Sequence, residues 1–397
     1  MIVGEPPLAG LRVVDLSRVL AGPYATMALA DLGADVIKVE HPRGGDETRS
    51  WGPPYAGGEA AYFLSVNRSK RSVALDLKDP EGRDLALELC ARADVVVENF
   101  RPGGAARLGL DYETVRERRP DVVYCSISGF GAREPRDRPG YDFVVQAESG
   151  LMAVTGEPDG EPTKIGVALV DVLTGLNAAI AIVAAFHRRG RTGEGERIEV
   201  SLLDSAFAAL VNVAQNALVT GEEPPRYGNA HASIVPYQPF RAADGWVAVA
   251  AANDALFRRL CETLDRSDLG ADERYATNDA RVRNREPLVA ELEAVFAARP
   301  AEEWVALLLG AGVPAGKIRG VGEALRSAEA TTSVDHPSAG PLELVAAPFA
   351  LAGASLTRPT PPPLLGEHTA EVLGELGVDE ERLAALERRG AIRLGES

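Results

Sequence analysis

The sequence has few cysteines and no pattern that would join them. Cys90, Cys125 and Cys261 are widely spaced, and none belongs to a CxxC pair. A disulfide framework or a cysteine-built zinc site is therefore not expected, and a reducing compartment fits this usage. The five histidines are equally scattered, with no pair at metal-ligand spacing, so no metal site is predicted.

Positive charge is also in short supply. The chain has 42 Lys and Arg against 58 Asp and Glu, a net charge of -16, which argues against a general nucleic-acid binder. The first ten residues lack the basic and apolar regions of a signal peptide. The most apolar segment, 167–186, contains Asp171, Thr174 and Asn177, and it predicts a buried helix rather than a membrane span. A cytoplasmic protein is expected.

Several well-known catalytic motifs are missing. The turn after the first predicted strand, SRVLAGPY (17–24), has one glycine, and GGAARLG (103–109) does not fit GxGxxG either. The sequence has no P-loop, HExxH or GxSxG pattern. Nicotinamide or flavin binding, phosphoryl transfer, zincin and α/β-hydrolase chemistry therefore lack support.

The first half of the chain alternates short apolar runs with helical stretches, and the 397 residues favour two domains. Strand–helix–strand units with apolar strands are typical of an α/β protein with a parallel sheet covered by helices. Strands are predicted at 11–16, 34–40, 72–77, 94–100 and 121–130, with helices at 21–33 and 80–93.

The second half of the chain has a different pattern of predicted elements, with a long apolar helix, a linker and then several amphipathic helices. Residues 170–189 form a predicted helix with almost no polar face, which should be buried, and 221–229 is a linker by composition. Further elements are a strand and apolar helix in 197–218, a strand at 246–252, amphipathic helices around Phe257, Leu288 and Trp304, an extended arm at 358–368 and a last helix at 369–377.

Asp171 stands out because it lies in a run that is otherwise nearly free of charge. One interpretation is a helix N-cap, the everyday role of an aspartate that precedes a helix. The other is a nucleophile, since a carboxylate at a helix start is stabilised by the helix dipole and can attack a carbonyl. Both interpretations can hold at once.

Four basic residues follow predicted strands or lie near their ends. Lys38, Lys78, Arg101 and Arg107 are candidate phosphate ligands in an acidic protein. Each taken alone is more often a solvated surface charge. Together, around one edge of a sheet, they could bind the phosphates of CoA.

The chain resembles the class III CoA-transferases, which include formyl-CoA and carnitine-type enzymes, along nearly its whole length. The residues that carry the resemblance are PLAGLRVVDLSRVLAGPYATMALADLGADVIKVEHPRGGDETRSWGPP (7–54), NRSKRSVALDLKDPEGR (67–83), DVVVENFRPG (94–103), GYDFVVQAESGLMAVTG (140–156), GVALVDVLTGL (166–176), RTGEGERIEVSLLD (191–204) and PPLLGEHTAEVL (362–373).

The resemblance implies a Rossmann-like large domain with a parallel sheet, built from both ends of the chain, and a smaller central α/β domain. It also implies a homodimer whose two chains pass through one another like linked rings. The expected boundaries are 1–205 and 345–397 for the large domain, 206–228 and 326–344 for linkers, and 229–325 for the small domain.

The family's nucleophilic aspartate falls on Asp171. The implied reaction is transfer of CoA between carboxylic acids through an aspartyl–acyl anhydride and an aspartyl-CoA thioester. CoA is then a substrate, and no permanently bound cofactor or metal is expected. Backbone N–H groups near glycines such as Gly166 would stabilise the oxyanion.

The resemblance also supplies expected CoA contacts. His41 stands where formyl-CoA transferase has an arginine, and Arg101 adjoins the matching loop. The residues carried over directly are Val19, Leu75, Lys78, Asn99, Phe100, Arg107 and Tyr141.

Two departures bear on the substrate. Leu20 stands where formyl-CoA transferases place a glutamine, and 228–240 replaces their glycine-rich lid, which argues against oxalate. The stretches RVLAGP, RSWGPPY, LSVNRSKRS and HASIVPYQ resemble the branch that acts on succinyl-CoA and glutarate. Arg18, Trp51 and His231 are then expected near the substrate, with Arg18 suited to a distal carboxylate or, equally, to a structural salt bridge.

Two other functions stay open. The α-methylacyl-CoA racemases share the fold, and they look to need the histidine of a GHD motif, paired with an aspartate, for proton abstraction and return. This chain has GYD at that place, and Tyr141 is a much weaker base near neutral pH. A non-catalytic CoA-binding protein is the other alternative, against which the retained Asp171 speaks.

Overall fold

The structure is a computed structural model that describes residues 4–131, 133 and 138–395. The chain divides into two compact units. The first comprises the described residues of 1–151, 165–219 and 330–397, and the second comprises 152–164 and 220–329. Residues 206–219 and 330–344, which the resemblance places in linkers, belong to the first unit.

Within the described residues, the strands form one large sheet and three small ones. They are β1 (Arg12–Asp15), β2 (Asp35–Glu40), β3 (Tyr55–Ala56), β4 (Glu59–Ala60), β5 (Lys70–Leu75), β6 (Val95–Glu98), β7 (Val123–Ser128), β8 (Glu196–Ser201), β9 (Tyr237–Arg241), β10 (Trp246–Ala250), β11 (Ala315–Lys317), β12 (Thr331–His336), β13 (Gly340–Val345) and β14 (Ile392–Arg393).

The helices connect and cover these strands. They are α1 (Ala21–Asp31), α2 (Ala61–Val66), α3 (Pro80–Ala91), α4 (Gly104–Leu108), α5 (Tyr112–Arg118), α6 (Asp142–Glu148), α7 (Leu151–Val154), α8 (Leu169–Thr192), α9 (Leu202–Ala209), α10 (Val211–Thr220), α11 (Asp254–Thr263), α12 (Ser267–Ala271), α13 (Asn278–Arg283), α14 (Arg285–Phe296), α15 (Ala301–Gly310), α16 (Val321–Ser327), α17 (Thr369–Glu375) and α18 (Glu380–Arg388).

The large sheet of the first unit has the order β14-β5-β2-β1-β6-β7-β8. The six strands from β5 to β8 are parallel, which confirms the predicted α/β class with a parallel sheet. The strands from β5 to β7 are mostly buried on both faces, as parallel strands generally are, whereas the last strand β8 has exposed residues at Arg197 and Glu199. The antiparallel edge strand β14 was not predicted, and its two residues pair with Leu75 and Ala74.

Two hydrophobic clusters lie on opposite faces of this sheet. One contains buried residues of α1, α6, α8 and α9, and the other contains buried residues of α3, α5, α17 and α18. The C-terminal helices therefore complete the same layer as α3 and α5. The start of α3 follows from its sequence, because the Asp79 carboxylate accepts hydrogen bonds from the N–H groups of Glu81 and Gly82 at 3.0 and 3.1 Å, and Pro80 occupies the first turn.

Helix α8 is not buried all round, so the prediction of a buried helix is wrong for one of its faces. Leu176, Ile180 and Val183, spaced four and three residues apart, are 38, 67 and 38% exposed. The opposite face packs in the core through residues such as Ala178 and Ile182. By length and composition α8 could cross a membrane, as could α9 and α10 if that bent pair formed one span. A core helix of a soluble protein has the same composition, so this observation decides nothing by itself.

The second unit has its own core. Strands β11, β10 and β9 form an antiparallel sheet, and the buried side chains of α11, α14 and α15 pack with it. Arg281 is fully buried there because its guanidinium donates to the carbonyl oxygens of Val235 and Tyr275 and to Asp254, at 2.7, 3.0 and 2.8 Å. These partners compensate the burial of its charge.

Helices α1 and α8 are in tight contact at Gly175. A Cβ atom at this position would lie 2.6 Å from the Ala21 carbonyl oxygen and 3.2 Å from Tyr24. Because Gly175 lies one turn after Asp171, the contact fixes the depth at which the start of α8 sits against the sheet.

We expect Gly175→Ala to destabilise the fold by about 1–3 kcal/mol, since the added methyl meets backbone that cannot move independently. The matched control is Gly190→Ala on the same helix, where a Cβ would contact nothing within 4 Å. That change should stabilise by about 0.5–1 kcal/mol. Urea unfolding of both variants measures the difference, and equal midpoints would contradict the proposed tight contact.

Candidate active site

Asp171 lies in the first turn of α8, as the third residue of the helix. Its side chain is half-buried and makes no capping hydrogen bond. Burial, and after it the negative charge of Asp142, raises the pKa of Asp171 to about 7. The N-cap residue is Ala168, so the interpretation of Asp171 as the helix cap is wrong.

The capping role falls to Asp142, the first residue of α6. One oxygen of its buried carboxylate accepts hydrogen bonds from the N–H groups of Val170 and Asp171 at 2.8 and 3.3 Å. Gln146, one turn later on α6, donates to the other oxygen at 2.6 Å. Asp142 therefore caps the N-terminus of α8 from a neighbouring helix, so the Asp171 side chain does not have to cap it.

Sequence reasoning missed Asp142, although it directly follows Tyr141 in the GYD motif. The sequence comparison used only the middle residue of that motif, Tyr141, so the acid beside it did not stand out. The sequence carried no direct signal for this role, because only the fold brings Asp142 within hydrogen-bonding distance of the start of α8, 28 residues further along the chain.

Asp171 opens onto a cleft in the first unit that is also lined by residues from six other chain segments. Six residues predicted for substrate or CoA line it, and they are Arg18, Val19, Asn99, Phe100, Arg101 and Tyr141. They follow β1, β6 and β7, where the carboxyl ends of parallel strands meet. The fold therefore brings together residues that lie up to 153 positions apart, counted from Arg18 to Asp171.

A second cleft adjoins the first, since Arg18 and Phe100 line both. Its other walls include the predicted CoA contacts His41, Leu75 and Lys78. His41 and Lys78 are exposed, so their side chains are available to a ligand. The predicted residues thus fall into two groups, one around Asp171 and one around the ends of β2 and β5.

Arg18 has an ion-pair partner within the chain. Its guanidinium lies 2.7 Å from the carboxylate of Glu47, and both side chains are about half exposed. An exposed ion pair of this kind contributes little stability, about 0–1 kcal/mol. A ligand carboxylate could therefore take the place of Glu47 at small energetic cost.

Lys38 does not fit its predicted role as a phosphate ligand. Its side chain is fully buried, and its ammonium group lies 2.9 Å from both the Ser17 carbonyl oxygen and the Asp46 carboxylate. The prediction is therefore wrong: Lys38 follows the alternation of its strand inward, and its charge is used inside the protein.

Three predicted residues lie outside the two clefts. Arg107 is exposed on α4, where its guanidinium lies over Gly103 and Gly104. Trp51 packs edge-on against Tyr62, with ring centroids 5.2 Å apart. His231 belongs to the second unit, where its ring packs against Tyr237 and its Nδ1 accepts a hydrogen bond from the Ser233 N–H at 3.0 Å.

Tyr62 is a further residue that sequence reasoning missed. It packs against a small apolar cluster that is also contacted by Val19 and by Val172, one residue beyond Asp171. Burial, then the charges of Asp171 and Asp142, raises the pKa of Tyr62 to about 12, so its phenol is protonated near neutral pH. The hydroxyl is therefore a potential hydrogen-bond donor near Asp171.

Among the described residues no group of three or more His, Cys, Asp or Glu side chains is arranged to hold a metal ion. The chemistry of the cleft is that of a partly desolvated carboxylate with arginines and backbone groups around it. Such a carboxylate can act as a nucleophile toward an acyl group.

The family model of CoA-transferase family III matches residues 8–369, and the chain belongs to this family. It is a CoA-transferase, as the resemblance predicted.

Individual relatives cover nearly the whole chain. It is 44% identical to the mouse succinyl-CoA:glutarate CoA-transferase, covering 98% of this chain and 91% of the relative. It is 45% identical to the succinate–glutarate CoA-transferase of Agrobacterium fabrum, covering 94% and 96%. The succinyl-CoA:mesaconate CoA-transferase of Haloarcula hispanica is 43% identical, again covering 94% and 96%. Among solved structures, a CAIB/BAIF family protein from Brucella suis superposes with a TM-score of 0.83 at 45% identity, covering 94% and 100%.

The raised pKa of Asp171 predicts how activity depends on pH. The value of kcat/KM for transfer should rise with pH through an inflection near 7, as the nucleophile ionises. Asp142→Asn should move this inflection to lower pH, because it removes one neighbouring charge while its amide oxygen can still cap α8. The inflection should stay above an ordinary aspartate's pKa, since burial is the larger cause.

Asp84→Asn, which removes an exposed acid on α3, is the control and should leave the pH profile of kcat/KM unchanged.

The raised pKa of Asp171 also makes the stability of the fold depend on pH. A carboxyl whose folded pKa is raised stabilises the fold fully below pH 4 and loses that contribution as pH rises through 7. Asp171→Asn should therefore gain thermal stability over the wild type more at pH 8 than at pH 5. An unshifted inflection in Asp142→Asn would show that its charge does not reach Asp171.

Proposed function

We propose that this chain transfers CoA between dicarboxylic acids of about the size of succinate and glutarate, with Asp171 as the covalent carrier. The observation that carries the proposal is the Asp171 carboxylate, which does not cap its helix, is half-buried and has a raised pKa. It lies in a cleft that also contains Arg18. The relatives' names, which specify succinate, glutarate and mesaconate, support the dicarboxylate class.

The reaction begins with the Asp171 carboxylate attacking the thioester carbonyl of the donor acyl-CoA. The C–S bond breaks, CoA leaves as thiolate, and a mixed anhydride joins Asp171 to the acyl group. The thiolate then attacks the Asp171 carbonyl, which releases the donor acid and leaves an aspartyl-CoA thioester. The acceptor carboxylate attacks this thioester, a second anhydride forms, and the returning thiolate attacks its acyl carbonyl. Product acyl-CoA and free Asp171 result, with no water consumed.

The environment of Asp171 suits this role. A carboxylate whose pKa is about 7 is more basic, and so more nucleophilic, than an exposed aspartate, yet about half of it is ionised at neutral pH. Its backbone N–H is held by Asp142, which fixes the direction of attack. Tyr62 and the N–H groups that line the cleft are available for the oxyanion.

CoA would lie along the second cleft. Leu75 and Phe100 offer apolar walls, and His41 and Lys78 offer positive or hydrogen-bonding groups for phosphates. Arg101 would extend this set toward the cleft of Asp171. CoA is the substrate in this scheme rather than a resident cofactor.

The distal carboxylate of the acid would bind Arg18. The guanidinium can make a bidentate pair with a carboxylate, and its present partner Glu47 is exposed and exchangeable. Trp51 and His231 remain proposed substrate contacts, with Trp51 adjoining Tyr62 near the nucleophile.

We also propose that the working form is a homodimer with interlocked chains. The exposed apolar stripe of Leu176, Ile180 and Val183 on α8, together with exposed Val211 and Leu218 on α10, supports a partner surface. Sedimentation equilibrium should give twice the mass of 42.0 kDa at micromolar concentration. A single-chain mass across that range would contradict the dimer.

The function is tested by mass spectrometry of the products formed from succinyl-CoA and a panel of carboxylic acids. The wild type should form new acyl-CoA species with dicarboxylates. Asp171→Ala should lower the rate by at least about 10³-fold, because the variant lacks the proposed covalent carrier of the acyl unit. CoA binding, measured by calorimetry, should be nearly unchanged. Full activity of Asp171→Ala would overturn the mechanism.

The same panel tests Arg18. Arg18→Met should raise KM for glutarate by about tenfold or more and leave KM for a monocarboxylate of similar length nearly unchanged, because only the dicarboxylate loses an ion pair. Arg43→Met, an exposed arginine outside both clefts, is the control. An equal rise for both acids would place Arg18 in a purely structural role.

A further inference from the structure

The segment between β1 and α1, Ser17 to Val19, has its backbone held by side chains from other parts of the chain. Asn99 holds the middle residue. Its amide oxygen accepts a hydrogen bond from the Arg18 N–H at 2.9 Å, and its NH₂ group donates to the Arg18 carbonyl at 2.7 Å. One amide side chain thus replaces the partner strand that would otherwise pair with this residue.

A buried ion pair holds the groups on either side. Lys38 donates to the Ser17 carbonyl oxygen at 2.9 Å. The Val19 N–H donates to both oxygens of the Asp46 carboxylate, at 3.2 and 3.3 Å. Lys38 and Asp46 lie 2.9 Å apart, and both side chains are completely inaccessible to solvent. Four successive backbone groups, from the Ser17 carbonyl to the Val19 N–H, are therefore fixed by only three side chains.

Val19 has an unfavourable backbone conformation. Its φ angle is +71°, in the left-handed region that β-branched residues rarely adopt. Such a conformation persists only when its surroundings enforce it. The hydrogen bonds that this backbone makes with the side chains of Asn99, Asp46 and Lys38 are the surroundings that enforce it.

The Lys38–Asp46 ion pair is not well explained as a source of stability for the fold. Taking two charges out of water offsets most of their attraction, and apolar replacements of the same volume are often no less stable. Lys38 is also too deeply buried to meet a phosphate. What the pair provides is a fixed acceptor and a fixed donor at the base of a segment that lines the cleft of Asp171.

We infer that Lys38 and Asp46 are positioning residues for the transfer reaction. They hold Val19 in the left-handed conformation, which sets Arg18 and Val19 at the wall of the cleft beside Asp171. The catalytic consequence rests on the proposed function, while the conformational consequence does not depend on any substrate.

The conformational part is tested by thermal unfolding of Val19→Gly and Val19→Ala. At an ordinary backbone conformation glycine is the less stable of the two, because it loses more freedom on folding. At a positive φ the order reverses, because alanine keeps the clash of its Cβ and glycine does not. We expect Val19→Gly to melt at a higher temperature than Val19→Ala. The opposite order would overturn the inference, whatever the protein's substrate.

The catalytic part is tested by a double-mutant cycle. Lys38→Met with Asp46→Leu removes the ion pair and leaves no buried charge unpaired. In the Val19 background this pair of changes should lower kcat/KM for glutarate by about tenfold or more, because the segment relaxes out of the strained conformation. In the Val19→Gly background the left-handed conformation is not strained and does not have to be enforced. There the same two substitutions should lower kcat/KM less than about threefold.

The two backgrounds separate positioning from plain destabilisation. Equal losses in both would show that the ion pair acts on the fold alone and would overturn the catalytic part. If the ion-pair variant does not fold, the melting order of Val19→Gly and Val19→Ala still decides the conformational part. If the wild type transfers CoA to no acid tested, the proposed function fails, while that melting order still supports or overturns the conformational part by itself.

Discussion

The start of α8 depends on one carboxylate that serves two opposed purposes. Asp142 accepts the N–H groups of Val170 and Asp171 and so anchors the helix terminus. Its negative charge also opposes ionisation of the Asp171 side chain, which is already disfavoured by burial. Keeping Asp171 ionised costs the fold on the order of a few kcal/mol at neutral pH. The helix dipole works in the other direction, since it favours negative charge at this terminus. The outcome is a carboxyl held between its two protonation states at the pH of most cells.

The sheet order explains why this position is a site at all. Strand β1 lies between β2 and β6, so the connections that leave β1 toward α1 and β6 toward α4 diverge at their carboxyl ends. Crevices of this kind are where open α/β sheets bind ligands. Here Asn99, after β6, bonds the backbone of Arg18, after β1, and so bridges the divergence directly. The tight packing of α8 on α1 at Gly175 then brings Asp171 to the same edge.

The sheet was largely predictable from the sequence, and the wrong predictions share a physical cause. Runs such as VVVE and DVIKVE read as buried parallel strands because strand burial leaves a local signature. The two-residue strand β14 leaves none, since its pairing is decided by tertiary packing. Lys38 was misjudged for the same reason: a lysine's environment is set by which side of the strand it points to and by Asp46, a partner that lies beyond its own strand. The exposed stripe on α8 also escaped prediction, because an all-apolar helix does not reveal which neighbours cover it.

The site was predictable in part, and only through the resemblance for most of its members. Asp171 could be singled out from residues alone, as one acid in an apolar run. Arg18, Asn99 and Phe100 could not, because they come from separate loops and become neighbours only when the strands align. Asp142 and Tyr62 were missed because their importance is electrostatic and depends on distance in the fold.

Charge pairing is used in two different ways around the cleft. Lys38 and Asp46 are sealed from water, so their partners cannot be exchanged and their geometry is permanent. Arg18 and Glu47 are about half exposed, so their pairing is weak and exchangeable. Under the proposed function this difference matters for an acidic protein that must admit anionic substrates. With Glu47 in place, Arg18 presents little net attraction to a monocarboxylate, whose single carboxylate is committed to the reaction centre. A dicarboxylate brings a second charge that can replace Glu47, so the exchangeable Arg18–Glu47 pair favours acids with two carboxylates. The buried Lys38–Asp46 pair keeps the backbone of Arg18 where that exchange can occur.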